Sequence, residues 1–248
     1  MSKVILITGG SRGIGAATVR LAIQQGYAVC FSYHSQQTAA EALVQDLQNQ
    51  GGEIRAVQAD ISQEASICQL FAACDQAFGR LDALVNNAGI LEQQMRVQAM
   101  DAARLQRIFT TNVIGSFLCA REAIKRMSTQ LGGQGGSIVN LSSVAARLGA
   151  PFEYVDYAAS KGAIDTFTLG LAKELATEGI RVNAVRPGII YTDIHASGGE
   201  PNRVERVKAS IPMQRGGYPE EIASAILWLI SEQAAYTSGA ILDVAGGR

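Results

Sequence analysis

Short apolar runs separated by longer amphipathic stretches set the rhythm of this chain. Val4 to Ile7 is apolar at every position, as expected of a parallel strand buried on both faces. Further strands are expected at Tyr27 to Tyr33, Glu53 to Ala59, Leu81 to Val85, Ser137 to Leu141, Ile180 to Val185 and Ala240 to Val244. Between them the spacing is helical: Ile14 to Gln25, Thr38 to Asn49, Glu64 to Phe78, Asp101 to about Met127, a helix that carries Tyr157 and runs to about Glu178, and Pro219 to Ser231. In the Glu64 helix, Ile67, Leu70, Phe71, Cys74 and Phe78 form a one-sided stripe, the face turned to a core. Strand and helix in alternation specify an α/β protein. No repeat, linker or low-complexity tract interrupts the pattern, and a chain of 248 residues, 48% of them hydrophobic, is expected to form one domain.

The polar residues of interest lie where strands hand over to helices. The first strand runs into Thr8-Gly9-Gly10-Ser11-Arg12-Gly13-Ile14-Gly15. Gly9, Gly13 and Gly15 let the backbone turn tightly and approach a ligand, and the helix that follows points free N–H groups and its positive dipole end at a phosphate. The glycines are spaced differently from G-x-G-x-x-G, and glycine-rich turns are common. Directly after a buried strand and opening a helix, this one points to dinucleotide binding. The second strand ends in Tyr33-His34-Ser35, without the carboxylate that usually holds the adenosine ribose in NAD sites. With Arg12 in the turn and His34 nearby, NADP is expected over NAD. The plain alternatives are a solvent-facing Arg12 and a His34 with no ligand role. Asp60-Ile61 and Asn86-Asn87-Ala88-Gly89 end the next two strands. Asn112 falls inside an expected helix, where its side chain competes for backbone groups and suggests a kink or a bound water.

The stretch from Asn140 to Lys161 carries the candidate chemistry. Tyr157 and Lys161 are four residues apart on one helix face. Free tyrosine titrates near pH ~10, so acid/base work at neutrality needs a shift of about 3 units, roughly 4 kcal/mol. One cation about 4 Å away at an effective dielectric near 20 supplies that amount. Alone, such a pair is common by chance. Ser143 lies just past the carboxyl end of a strand, where open α/β sheets bind ligands, and can donate to a carbonyl oxygen or merely cap a turn.

Net charge near −1 gives no electrostatic footprint for nucleic acid or an anionic membrane. No run approaches the length of a membrane span, and the amino terminus lacks the apolar core of a signal peptide, so a cytoplasmic protein is expected. Cys30, Cys68, Cys74 and Cys119 lack metal-ligand spacing and are taken as small buried hydrophobes, with no metal site. Gly162, Thr166 and Gly170 form a flat ridge on a nearly uncharged helix, and Gly115 and Cys119 give the preceding helix a similar face. Both imply a homo-oligomer. The segment 193–217, polar, glycine-rich and only briefly helical around Arg203 to Ser210, is placed as a substrate lid.

Taken together, Thr8-Gly9-x-x-x-Gly13-x-Gly15, Asn86-Asn87-Ala88-Gly89, Asn112, Ser143, Tyr157-x-x-x-Lys161 and Pro187-Gly188 resemble, over essentially the whole chain, the single-domain branch of the short-chain dehydrogenase/reductase family. The resemblance implies a doubly wound (Rossmann) seven-stranded parallel sheet and hydride transfer between a nicotinamide and a carbonyl or secondary alcohol. It implies Tyr157 as proton donor or acceptor, and Lys161 lowering its pKa and holding the nicotinamide ribose. It implies Ser143 on the carbonyl oxygen and Asn112 anchoring a relay water. Asp60, beside Ile61, is similar to the adenine contact, Asn87, Ala88 and Gly89 to the wall beside the adenosine ribose, and Pro187, Gly188, Ile190 and Thr192 to the segment that pins the carboxamide. A homotetramer or homodimer acting on a small carbonyl or alcohol follows. Two departures stand out: Ser143 precedes Tyr157 by 14 residues, one more than usual, and the closing strand reads Asp243-Val244-Ala245-Gly246-Gly247. The first implies an unusual loop 144–156, where Glu153 and Asp156 either favour a hydroxylated or cationic substrate or are simply solvated. A 3-oxoacyl-thioester reductase is one alternative, weakened by Glu178 where carrier-binding members tend to have a basic residue. A cofactor-binding regulatory protein without turnover is another, although such relatives typically lose the tyrosine, lysine or serine.

Overall fold

Strand β1 (Val4–Ile7) buries every side chain because apolar residues meet it from both sides. The computed structural model describes residues 2–248. In chain order β1 is followed by α1 (Gly13–Gln24), β2 (Ala28–Tyr33), α2 (Gln37–Asn49), β3 (Ile54–Gln58), α3 (Glu64–Phe78), β4 (Ala83–Asn86), α4 (Ala102–Phe109), α5 (Gly115–Met127), β5 (Gly136–Leu141), α6 (Ala145–Leu148), α7 (Val155–Glu174), β6 (Ile180–Pro187), α8 (Ile194–Ser197), α9 (Arg203–Val207), α10 (Pro219–Ile230) and β7 (Ile241–Val244). The seven strands form one sheet in the order β3-β2-β1-β4-β5-β6-β7, with every pairing parallel. The expected doubly wound α/β fold is therefore the observed one.

Alternation along each strand sorts the core into two layers. Ile5, Ile7, Val29, Phe31, Val85 and Val139 pack under α1, α2 and α10. Val4, Leu6, Cys30, Leu84, Ile138 and Val182 face α3, α5 and α7, and the stripe Ile67, Leu70, Phe71 and Cys74 lies in this second layer. The chain reverses direction across the sheet between β1, which pairs with both β2 and β4, and β4, so a crevice opens beyond the carboxyl ends of these strands.

Several expectations change. The helix expected from Asp101 to Met127 is broken by a π turn at Thr110–Ile114, centred on Asn112. The Tyr157 helix stops at Glu174 and is followed by a single 3-10 turn, Ala176–Glu178. Gly115 does not belong to an outward face, since a Cβ there would lie 2.5 Å from the Ile61 carbonyl oxygen, and Cys119 is fully buried in the second layer. Both serve the core. At Gly162 and Gly170, by contrast, a Cβ would meet nothing within 4 Å, and the neighbouring Leu169 and Phe117 are exposed. Cys68 is exposed, unlike the other three cysteines.

Candidate active site

At the crevice, a small set of hydrogen bonds holds the glycine turn. Thr8 Oγ1 accepts from the N–H groups of Asn87 (3.1 Å) and Ala88 (3.0 Å), while Asn87 Nδ2 donates to the carbonyls of Thr8 (2.8 Å) and Gly9 (3.0 Å). The Gly9 N–H donates to Ser32 Oγ at 3.0 Å. Gly9 and Gly13 adopt φ of +66° and +52°, and a Cβ on Gly15 would stand 2.2 Å from the Gly9 carbonyl oxygen. Among the described residues no side chain caps α1, and its first turn has no acidic residue. The backbone N–H groups there are free to receive an anion, which fits the pyrophosphate of a dinucleotide.

One cavity of about 1010 Å³ extends from this turn to α8 and α9. Every residue expected at the site lines it except Asn112. Arg12 and His34 are exposed on its rim, with His34 Nε2 at 3.9 Å from an Asp60 carboxylate oxygen.

Strand β5 ends by delivering Ser142 and Ser143. Buried Ser142 donates to the Lys161 carbonyl (3.2 Å), and Ser143 Oγ accepts from the Ala145 N–H (3.1 Å). Lys161 Nζ donates to the Leu141 carbonyl at 2.6 Å and sits 5.7 Å from the Tyr157 ring centre. Burial pushes the Tyr157 phenol up to about 12, with the Ser143 hydroxyl acting in the opposite sense. Burial also lowers the Lys161 ammonium to about 8, against the pull of Asp165. Helical spacing assigned Lys161 the task of bringing the phenol toward neutrality; within this chain, desolvation of both groups outweighs their proximity.

Asn112 stands behind the cleft wall. Its Oδ1 accepts from the Ile90 N–H (2.8 Å), and its Nδ2 donates to the Ile90 carbonyl (3.0 Å) and to Ser160 Oγ (3.2 Å). Ser160 in turn donates to the Tyr157 carbonyl at 2.7 Å. A Cβ on Gly89 would lie 3.2 Å from Asn112 Oδ1 and 3.6 Å from Lys161 Nζ, so the wall is thin here.

The far half of the cleft is built differently. Between Ser143 and Tyr157 the chain forms the one-turn helix α6 and then left-handed backbone at Gly149 (φ +75°), Ala150 (+43°) and Phe152 (+67°). The segment 193–210 is tied across to this loop. Arg203, 9% exposed, pairs with Glu200 at 2.8 Å and with Glu153, and its guanidinium lies 5.0 Å over the Tyr154 ring. Arg206 pairs with Glu153 (3.2 Å) and Glu200, and the Tyr154 hydroxyl donates to the Gly198 carbonyl at 3.0 Å. Glu153 and Asp156 are thus not free solvated acids: Glu153 is held by arginines, and buried Asp156 is paired with Arg104 at 2.7 Å. Sequence reasoning passed over Ser32, Ser160, Arg104 and Arg203. Only Ser32 left a local signal, as a hydroxyl inside an otherwise apolar strand.

An uncapped helix start and a tyrosine, lysine and serine set sharing one cleft at a topological switch point is the layout of a dinucleotide-dependent enzyme. The family model described as enoyl-(acyl carrier protein) reductase matches residues 9–248. The chain is 57% identical over 245 residues to the uncharacterized oxidoreductase YgfF of Escherichia coli K12, covering 99% of each. Its fold is similar to that of a blue fluorescent protein from a metagenomic library in complex with NADPH (TM-score 0.89, 35% identity, 99% of this chain and 97% of that one). It is also similar to a 3-ketoacyl-(acyl-carrier-protein) reductase from Brucella melitensis complexed with NADH (TM-score 0.91, 33% identity, 99% and 98%). The chain belongs to the short-chain dehydrogenase/reductase family and is an NAD(P)-dependent oxidoreductase.

Proposed function

We propose that this protein is an NADP-preferring reductase or dehydrogenase of a small carbonyl or secondary alcohol, with Tyr157 as its acid/base. The observation that carries this reading is the placement of the Tyr157 phenol beside the Ser143 hydroxyl and Lys161, in the same cleft as the glycine turn. A bound nicotinamide supplies the hydride in reduction and accepts it in oxidation. Tyr157 gives its proton to the carbonyl oxygen as the C–H bond forms, or takes it back in the reverse direction, while Ser143 donates a hydrogen bond that fixes that oxygen. Lys161, whose ammonium is anchored on the Leu141 carbonyl, provides the charge that favours the phenolate.

The glycine turn and the first N–H groups of α1 hold the pyrophosphate, with Ser11, Gly13 and Ile14 lining its place and Arg12 meeting a ribose phosphate at the rim. Asp60 and Ile61 border the adenine, Asn87 to Gly89 the ribose, and Pro187, Gly188, Ile190 and Thr192 the carboxamide. Asn112, its amide committed to Ile90 and Ser160, keeps the wall beside Lys161 in place for the relay of protons. Residues 193–217 act as the substrate lid of a single catalytic domain, and the open ridge Gly162, Thr166 and Gly170 packs against a second copy in a cytoplasmic homo-oligomer.

The test is oxidation of NADPH and NADH in parallel over diketones, aldehydes, keto-sugars and 3-oxoacyl thioesters. Faster NADPH consumption with one carbonyl class is the expected result, lost in Tyr157→Phe. Turnover that survives Tyr157→Phe would overturn the mechanism.

A further inference from the structure

A buried ion pair lies one residue before Tyr157 in a wall where apolar packing would suffice. The Arg104 and Asp156 side chains are 4% and 0% exposed. Arg104 Nε donates to Asp156 Oδ2 at 2.7 Å and Nη2 to Oδ1 at 3.3 Å, a two-pronged contact. The same Oδ1 accepts from the Tyr157 backbone N–H at 2.9 Å. The remaining prong of the guanidinium, Nη1, donates to the Gln93 carbonyl at 2.7 Å. One guanidinium therefore joins three walls of the cleft: α4, which leads into the π turn of Asn112; the loop after β4, whose Ile90 holds the Asn112 amide; and the first turn of α7. At the other end of the same contact, Asn112 reaches Ser160 and Ser160 reaches the Tyr157 carbonyl. Tyr157 is thus gripped at its N–H by one chain of bonds and at its C=O by the other.

We infer that Arg104 and Asp156 are a positioning pair that sets where the Tyr157 hydroxyl stands in the cleft and the field it feels. This rests on the reading of Tyr157 as the acid/base. Burying two charges is a costly way to join helices, and a fork fixes orientation where a greasy contact allows sliding. The other charged or titratable groups facing this region are Asp101, whose carboxylate accepts from the Arg104 N–H, the Glu92–Arg107 pair between the loop after β4 and α4, Lys161 on α7, with Asp165 and its partner Arg186 behind it, Tyr154, and the mutually paired Glu153, Glu200, Arg203 and Arg206, with His195 on α8 bonded to the Ile190 carbonyl. Arg104 and Asp156 are nearest the Tyr157 backbone, and each acts on it with opposite sign.

The test is the phenolate absorbance near 295 nm of the NADP⁺ complex, titrated with pH and taken as the difference from Tyr157→Phe. Asp156→Asn keeps an acceptor for the Tyr157 N–H and leaves Arg104 unopposed, so the midpoint falls. Arg104→Gln leaves the carboxylate unopposed, so the midpoint rises. Each shift is expected to be about half a pH unit or more. The double variant Arg104→Gln/Asp156→Asn, neutral at both positions, guards against a single variant that does not fold. It should bind NADPH as the unaltered protein does, yet turn over the fastest carbonyl of the panel about tenfold more slowly. Arg104→Lys, which keeps the charge without the fork, should hold the midpoint and recover only part of the rate. A midpoint that stays in place or moves the same way in both single variants would overturn the positioning role and leave the acid/base reading standing. No Tyr157 midpoint below pH ~11 in the complex would overturn both.

Discussion

The two halves of the cleft achieve order by opposite means. Around the glycine turn the contacts are neutral, short and mostly made by backbone: Thr8, Ser32 and Asn87 hold main-chain groups, and a missing Cβ at Gly15 is the decisive dimension. Around loop 144–156 and segment 193–210 the contacts are charged and made by long side chains, with Arg203 and Arg206 bridging Glu153 and Glu200 over a backbone that turns left-handed at Ala150 and Phe152. Neutral backbone contacts leave one conformation. Ion pairs between flexible side chains can be released and remade. The first half suits a group that every turnover shares, and the second suits a surface that must open and close around a substrate.

The largest effect is expected where that first half has no slack. Gly15→Val forces a side chain into the Gly9 carbonyl and Asn87 Nδ2, which a Cβ would meet at 2.2 and 2.7 Å. Relieving the clash must distort the turn, and NADPH affinity should fall about 100-fold or more. Titration of NADPH fluorescence measures it. Near-unaltered affinity would show that the turn has the give attributed here only to the other half.

At the seam between the halves the expected effect is on stability. Lys161 titrates at about 8 in the folded protein against 10.5 when free. Between these values the unfolded chain holds a proton that the folded one has released, so stability rises with pH through this window, and below about 8 the folded state carries the cost of a buried charge. Lys161→Met removes that cost but also the bond to the Leu141 carbonyl. It should be inactive, more stable than the unaltered protein at pH 7 by roughly 1–2 kcal/mol, and have lost all of this advantage by pH ~10. The raised Cys119 group acts in the reverse direction at higher pH and is common to both proteins, so below the tyrosine range the difference between the two melting profiles reports Lys161. A gap that does not depend on pH would contradict the assignment.

The same division governs what the sequence made legible. The glycine turn, Asn87 to Gly89, Ser143 and the Tyr157–Lys161 pair were readable because each is a local spacing in a strand-to-helix context. The Arg203–Glu153 and Arg104–Asp156 contacts join residues 50 and 52 positions apart, and nothing in either segment specifies its partner. For the same reason Glu153 and Asp156 read either as favouring a hydroxylated or cationic substrate or as solvated acids, and the π turn at Asn112 read as a kink or a bound water. Gly115 was assigned to an outward face because its inward neighbour, the Ile61 carbonyl, comes from a distant loop.

Loosening the ionic half should cost less than altering the turn, and only on one ligand. Arg203→Met removes the guanidinium over Tyr154 together with the pairs with Glu153 and Glu200. KM for the carbonyl is expected to rise about tenfold, with NADPH affinity unchanged and limited proteolysis faster within 193–210. Equal losses of both ligands would mean that the halves are mechanically one unit.

The smallest effect tests Arg12, a cation at the rim of the neutral half. Arg12 is exposed at the rim and follows the tight Gly9 turn, where, as proposed, its guanidinium meets a ribose phosphate. A charge-assisted bond of this kind, partly screened by solvent, is worth about 1.4 kcal/mol, or tenfold in affinity. Arg12→Ala should therefore lower the preference for NADPH over NADH by about tenfold, leave NADH kinetics as they were, and show its largest effect at low ionic strength. His34→Ala, at the end of β2 and within 3.9 Å of Asp60, should change the preference less, since this side chain also faces the Asp60 carboxylate. An unchanged preference in Arg12→Ala would place discrimination in the shape of the pocket at the ends of β2 and β3.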